Sequence, residues 1–236
     1  TLRPFLNSLG QHKNPLKIAL SKLEAPLINF DSELLDKCAL RMQIEYRKAG
    51  RLKWYGSGRT GKLSTTENVK GVEDDEWIKP INMKTSPGYP YVLAGNKGKY
   101  INSETAELSP ILEEALRLRE EKCREGQEMP ALMIDVLKDE RLSNDKREKG
   151  KVRIFNVCPL DFNMLVRKYF TRFMAQMMND HVRGEVSVGL NPHADDWKAF
   201  HMCLHKSGDH WIAGDYSAWD KRMPYQVAIA LLPLVE

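Results

Sequence analysis

Between Asp161 and Met177 the residues Phe162, Leu165, Val166, Tyr169, Phe170, Phe173, Met174 and Met177 recur at helical spacing, with Arg167, Lys168 and Arg172 toward the other side. A stripe of that length has to be covered, so the chain must build a hydrophobic core against this helix, for which Asp161 is the expected N-cap. The aromatic and methionine side chains read as core rather than as a cofactor box. Ser32 is placed to cap a helix through Leu34, Leu35, Cys38, Ala39 and Met42, with Arg47-Lys48 in its last turn and Gly50 beyond. Ser109-Pro110 opens another, with Ile111, Leu112, Ala115, Leu116 and Cys123 on one face and Gly126 closing it. Pro224 starts a last one through Val227, Ala228, Leu231 and Leu232. With 236 residues and 42% hydrophobic content, the chain suits one large domain or two small ones.

No apolar run is long enough to span a bilayer, and the start Thr1-Leu2-Arg3-Pro4 lacks the layout of a secretory signal, so a soluble, cytosolic protein is expected. Cys38, Cys123, Cys158 and Cys203 are scattered with no C-x-x-C pair; buried thiols are expected rather than a disulfide framework or a zinc ribbon. Position 1 is not Met, and the last residues Leu231-Leu232-Pro233-Leu234-Val235-Glu236 form an apolar run without a stop signal, which suggests a piece of something longer. The net charge is +4, and the window from Lys138 to Arg172 holds ten Lys/Arg against five Asp/Glu. That local positive field suits a polyanionic partner, or simply a solvated face.

The stretch from Arg51 to Lys70 is rich in Gly, Ser, Thr, Lys and Arg and reads as a mobile loop. Its Gly61-Lys62 is no Walker loop, because the spacing is wrong and Leu63 follows the lysine. Thr85-Ser86-Pro87-Gly88-Tyr89-Pro90-Tyr91-Val92 reads as a tight turn followed by extended chain. From Lys138 to Phe155 the sequence has the layout of a hairpin that turns near Asn144-Asp145 and returns along Lys151-Val152-Arg153-Ile154, where charged and apolar residues alternate. Lys151 and Arg153 then share a face and can clamp a triphosphate, the lysine as a point charge and the arginine as a fork.

Trp211 to Tyr216 reads as a short buried strand, and it delivers two carboxylates in Asp215-Tyr216-Ser217-Ala218-Trp219-Asp220. An aspartate at a strand end is placed to hold a divalent metal against phosphate, since Mg²⁺ prefers hard oxygen ligands and takes only one or two from protein. The same residue type at the same place also forms turns and helix caps.

Four segments, in order, resemble the RNA-dependent RNA polymerases of picorna-like positive-strand RNA viruses. Lys138-Asp139-Glu140 followed by Lys146, Gly150-Lys151 and Arg153 is similar to their basic fingertip motif. Ser86-Pro87-Gly88-Tyr89-Pro90-Tyr91 resembles an upstream S-x-G-Y-P-Y element, and Val188-Gly189-Leu190-Asn191-Pro192 the V-G-x-x-P stretch before the palm. Asp215 to Asp220 resembles the D-x-x-x-x-D catalytic motif. The likeness covers most of the chain from about Ser86 onward and implies an α/β (α+β) right-hand polymerase fold. Residues 1–172 would be the fingers region, with the basic hairpin at about 138–155, and 173–236 the start of the palm.

The resemblance also implies roles. Asp215 would coordinate the catalytic Mg²⁺ (or Mn²⁺) ions, with the Tyr216 carbonyl beside them, and Asp220 would read the ribose hydroxyls. Lys138, Lys146, Lys151 and Arg153 would line the path taken by ribonucleoside triphosphates, Arg153 touching the triphosphate. RNA template and primer, and other viral replication proteins, would be the partners, in replication complexes in the host cytoplasm. Two departures stand out: Arg141-Leu142 reverses the usual Leu-Arg, and Lys221-Arg222 follows where relatives carry small residues. Neither the family's G-D-D motif nor its Ser-Gly and Asn motif follows Asp220, and the thumb is missing too, so these residues alone are expected to bind metal weakly and not to polymerise.

Other classes compete with this reading. His201, Cys203, His205 and His210 offer part of a zinc site but lack a second cysteine pair. A non-catalytic RNA-binding module would use the basic hairpin alone. Reverse transcription is disfavoured, because Asp220 stands where a DNA polymerase tends to place a bulky residue.

Overall fold

The computed structural model describes residues 3–21, 29–48, 61–182, 184, 186–206, 208–216 and 219–232, without the side chains of residues 220 and 221. A small antiparallel hairpin opens the chain, β1 (Phe5–Leu6) and β2 (His12–Lys13), turned by Asn7, whose Oδ1 accepts the amides of Leu9 and Gln11. In α1 (Pro15–Leu20), Asn14 is the cap and accepts the Lys17 amide at 3.1 Å. Helix α2 (Ser32–Lys48) forms where the periodicity places it, but its cap is Asp31, whose carboxylate accepts the Leu34 amide at 2.9 Å; Ser32 is its first residue. Gly50 lies outside the described residues.

Of the stretch expected as a mobile loop, residues 51–60 lie outside the described residues, and its end is a helix, α3 (Thr65–Lys70). The cause is a capping box: the Glu67 amide donates to Ser64 Oγ at 3.2 Å and the Ser64 amide to Glu67 Oε2 at 2.8 Å. After the Ser86–Gly88 turn the chain is not extended as expected. The Tyr89-Pro90 peptide is cis and residues Tyr91–Leu93 form a 3-10 turn. That turn tucks Tyr91 into the core, where the Tyr100 hydroxyl donates to its carbonyl at 2.9 Å and the two rings meet edge to face at 5.1 Å. Tyr89 stays half exposed.

Helix α4 (Pro110–Arg124) starts at the Ser109 cap and ends before Gly126, as read from the sequence, yet its inner face is turned. Leu112 and Arg119 are buried, whereas Ile111 and Cys123 are exposed. Next come β3 (Ile134–Leu137), α5 (Asn144–Glu148) and β4 (Ile154–Val157), with β3 and β4 antiparallel in the register Ile134↔Val157 to Leu137↔Ile154. The hairpin turns near Asn144-Asp145 as expected, and does so through a short helix, because Ser143 caps it by accepting the Lys146 amide.

The long helix is α6 (Leu160–Asn179), packed on α4 and α3. One core gathers Val69, Ile81, Tyr91, Tyr100, Ile101, Ala106, Leu112, Leu160 and Met164; a smaller one gathers Leu63, Ile78 and Ala175. The buried face of α6 is Leu160, Asp161, Met164, Arg172 and Ala175, while Val166 and Met174 of the expected stripe are partly exposed. Two charges moved the face. Asp161 does not cap the helix; it accepts from Arg119 Nε at 2.7 Å, with both side chains buried. Arg172 pairs with Glu67 of the capping box at 2.5 Å. Burial pushes the Glu67 carboxyl up, but the Ser64 amide and Arg172 outweigh it and hold it below the usual range.

A third junction joins α4 to α6 through Glu120, which pairs with Lys168 at 2.7 Å and Arg124 at 2.8 Å and accepts the Tyr169 hydroxyl at 2.5 Å. Partial burial acts to raise its pKa, yet the bonds from Lys168, Tyr169 and Arg124 bring it down to about 2 from an ordinary 4.5. A lowered folded pKa stabilises fully above the unfolded value and is lost as pH falls through the folded one. Between pH 4.5 and about 2, urea midpoints of Glu120→Gln should therefore fall less steeply than those of the wild type; equal slopes would remove Glu120 as a source of acid sensitivity.

The C-terminal region holds α7 (Asp195–His205), α8 (Trp219–Arg222) and α9 (Tyr225–Ala230), the last packed on α2, where the Phe30 amide donates to Gln226 Oε1 at 3.1 Å. Residues 211–216 are not the buried strand expected of them. Trp211 is half exposed and Ile212 fully so, because among the described residues no neighbouring chain offers these backbone groups a ladder. The cysteines also differ from expectation: Cys38 and Cys123 are exposed, and Cys158 and Cys203 intermediate. Among the described residues no helix is long and apolar enough to cross a membrane.

Candidate functional site

The basic arm is built on the β3–β4 ladder, which the Lys138 amide extends by donating to the Arg153 carbonyl at 2.8 Å. Along the returning chain Val152 and Ile154 are buried while Lys151 and Arg153 are exposed, the alternation read from the sequence, but β4 begins only at Ile154, and the Lys151 amide donates to the Lys146 carbonyl of the turn, so the strand face expected to hold both cations does not reach Lys151. Lys138 and Lys146 are exposed as well. Of the four expected residues, Lys138 and Arg153 are brought to one group, and the structure adds that group as a residue the sequence pattern does not single out. Glu140 stands between the strands: Arg153 Nε donates to its Oε1 at 2.8 Å, Arg153 Nη2 meets its Oε2, and Lys138 Nζ lies 3.7 Å from the same oxygen. The Arg153 hydrogen bond is the main cause that holds the Glu140 carboxyl below its usual range. The guanidinium fork is therefore pre-aimed by a carboxylate that a phosphate would have to displace or share.

The far end of the arm is seated on the N-terminal hairpin. The Ser8 amide donates to Glu148 Oε2 at 2.7 Å, and Asn7 Nδ2 to the Glu148 carbonyl at 3.4 Å. Gly150 packs against Ile18, to whose Cδ1 a Cβ would come within 2.9 Å. Sequence reading missed this support, since the partners lie far apart in the chain.

Asp215 and Tyr216 lie on exposed extended chain after Trp211, whose indole Nε1 donates to the Gly208 carbonyl at 2.9 Å. The Tyr216 and Trp219 rings approach to 5.0 Å. Ser217 and Ala218 lie outside the described residues, as does the side chain of Asp220, which is the second residue of α8. No hydrogen bond or ion pair joins Asp215 to the arm among the described residues. As a hard-oxygen donor with no hydrogen-bond or ion-pair partner among the described residues, the Asp215 carboxylate has the chemistry a Mg²⁺ ligand needs. The His201 and His205 rings meet edge to face at 4.3 Å and His205 Nδ1 lies 3.1 Å from Asp209, but among the described residues no group of three or more His, Cys, Asp or Glu could hold a metal. The Val188–Pro192 stretch packs through Gly189 on the Trp77 ring, and Trp77 Nε1 donates to Asn179 at 2.8 Å.

A family profile described as viral RNA-dependent RNA polymerase matches residues 9–231. The chain belongs to the viral RNA-dependent RNA polymerase family. It is 32% identical to the replicase polyprotein of Drosophila C virus (strain EB), over 98% of this chain and 14% of that one. Against the replicase polyprotein of acute bee paralysis virus (strain Rothamsted) the figures are 31%, 84% and 11%, and against the RNA1 polyprotein of cowpea mosaic virus (strain SB) 28%, 96% and 12%. The chain thus spans between a tenth and a seventh of these polyproteins. Among solved structures it is similar to a Sicinivirus 3Dpol RNA dependent RNA polymerase, with a TM-score of 0.61 at 19% identity, covering 82% of this chain and 38% of that one. The polymerase fold of mixed helix and strand, the partial coverage and the kinship with picorna-like viruses are as the motifs implied.

Proposed function

We propose that these residues belong to a polymerase that makes RNA on an RNA template from ribonucleoside triphosphates, extending a primer by two-metal nucleotidyl transfer. The observation that carries this reading is the exposed Arg153 fork, held with Lys138 at Glu140 where the two-stranded arm begins, in a chain matched by the polymerase family over residues 9–231. Lys138, Lys146, Lys151 and Arg153 would draw in the triphosphate, with Arg153 shared between Glu140 and a phosphate oxygen. The Asp215 carboxylate and the Tyr216 carbonyl would hold Mg²⁺ (or Mn²⁺), which offsets charge on the phosphates and the leaving group. Asp220 would read the 2′-hydroxyl, the group that separates ribonucleotides from deoxyribonucleotides.

In this reading residues 1–172 are fingers and 173–236 the start of the palm. Replication in the host cytoplasm with other viral replication proteins fits relatives that are replicase polyproteins. Since the residues cover 38% of the Sicinivirus polymerase chain, the activity is assigned to the longer chain that carries them.

Primer extension on an RNA template with Mg²⁺, run on that full polymerase chain, tests the proposal. Ribonucleotide addition should greatly exceed deoxyribonucleotide addition; RNA binding without any extension would favour the non-catalytic module instead. Arg153→Ala should raise the nucleotide KM roughly tenfold, about 1.4 kcal/mol. Glu140→Gln should move KM in the same direction by less, because the fork keeps one acceptor but loses its charged partner. A KM unchanged in both variants would remove the arm from nucleotide binding.

A further inference from the structure

Gly88 adopts a left-handed backbone (φ +72°), and a Cβ built on it would lie 2.2 Å from the Cys158 carbonyl oxygen and 2.9 Å from Pro159 N. Ordinary contact starts at 3.4 Å, so a side chain as small as a methyl would force these backbones apart by about an ångström. The turn side of the contact is braced. Gly88 donates its amide to Ser86 Oγ at 3.2 Å, its carbonyl accepts the Val92 amide at 2.8 Å, and Tyr91 is buried in the core.

On the other side Cys158 stands between two rigid elements. Pro159 leads into α6, which is fixed by the main core and by the buried Arg119–Asp161 pair. Preceding it is β4, bonded along its length to β3. Pressure at Cys158 is therefore relieved through the arm, which the ladder moves as a unit. Arg153 lies five residues up that extended strand, a lever of roughly 17 Å.

We propose that Gly88 is a positioning residue for the incoming nucleotide: its missing side chain lets the base of the arm close on the Ser86–Tyr91 turn and fixes where Lys151 and Arg153 point. This rests on the polymerase reading above. It gives the Ser86–Tyr91 element a task in aiming the arm.

The test is steady-state primer extension by the full polymerase. Gly88→Ala should raise the nucleotide KM at least about tenfold, since an ångström of misplacement is costly to a positioned group, with RNA affinity little changed. Gly126→Ala is the matched control: its φ is +70°, so the backbone strain is alike, but nothing lies within 4 Å of its Cβ, and KM should not move. If Gly88 acts through the arm, adding Gly88→Ala to Arg153→Ala should raise KM little further. Should Gly88→Ala prove insoluble, Ser86→Ala, which only loosens the turn, should show the same non-additivity. The proposal is overturned by a KM that does not move, by an effect of equal size with and without Arg153, or by a change in RNA affinity alone. Wild-type enzyme that fails to extend primer would overturn the polymerase reading and this proposal with it. Wild-type extension with an unresponsive KM would sink only the proposal.

Discussion

Asp215→Ala in the full polymerase chain is expected to reduce ribonucleotide incorporation at least about a thousandfold, a loss near 4 kcal/mol of transition-state stabilisation. The size follows from what a carboxylate at a metal site contributes: it fixes the ion against the phosphates, and an alanine supplies no oxygen in its place. The loss should be chemical rather than structural. Asp215 is exposed, and no hydrogen bond or ion pair of the described structure depends on it, so the thermal midpoint of the variant should match the wild type. Single-nucleotide incorporation over a Mg²⁺ and Mn²⁺ titration, with melting measured in parallel, separates the two. Wild-type rates in the variant would end the metal assignment, and a collapsed midpoint would mean that Asp215 supports the fold.

The largest effect on stability is expected at Arg119. Arg119→Ala leaves the Asp161 carboxylate buried without its partner and also removes the bond from Arg119 Nη1 to the Met129 carbonyl at 3.0 Å. Breaking a buried pair from one side costs about 3–5 kcal/mol. For a chain of this size that is a fall in Tm of roughly 6–20 °C. Replacing both partners, as in Arg119→Met with Asp161→Leu, should recover much of the loss, because no charge is then stranded. Burial is the main cause that raises the Tyr91 hydroxyl pKa; the nearby Asp161 carboxylate adds to it and Arg119 acts against it. A loss under 1 kcal/mol for Arg119→Ala, read by urea unfolding, would mean that water reaches the carboxylate.

Helix α4 was legible because its start and stop are local chemistry: the Ser109 cap, Pro110 in the first turn and Gly126 past the end. The arm was legible for the same reason, since Val152 and Ile154 alternate with Lys151 and Arg153 at the strand period. Helix α6 was found but turned wrongly. Pattern reading sends charges outward, and here Asp161 and Arg172 go inward to partners 42 and 105 residues away. The Ser64-x-x-Glu67 box was present in the sequence and lost among glycines and lysines. Glu140 has no task that the motif's spacing discloses, because its partner 13 residues on is opposite only once the hairpin register is known. The strand read at 211–216 needed a neighbour that periodicity cannot name.

The seat of the arm on the N-terminal hairpin has a consequence for synthesis on the ribosome. The Ser8 amide waits 140 residues for Glu148, roughly 7–30 s at ordinary elongation rates. Until then the β1–β2 hairpin lacks its seat on the arm, and Leu6 and Leu9 are largely exposed even in the folded chain. The arm cannot reach its final geometry co-translationally before that late closure.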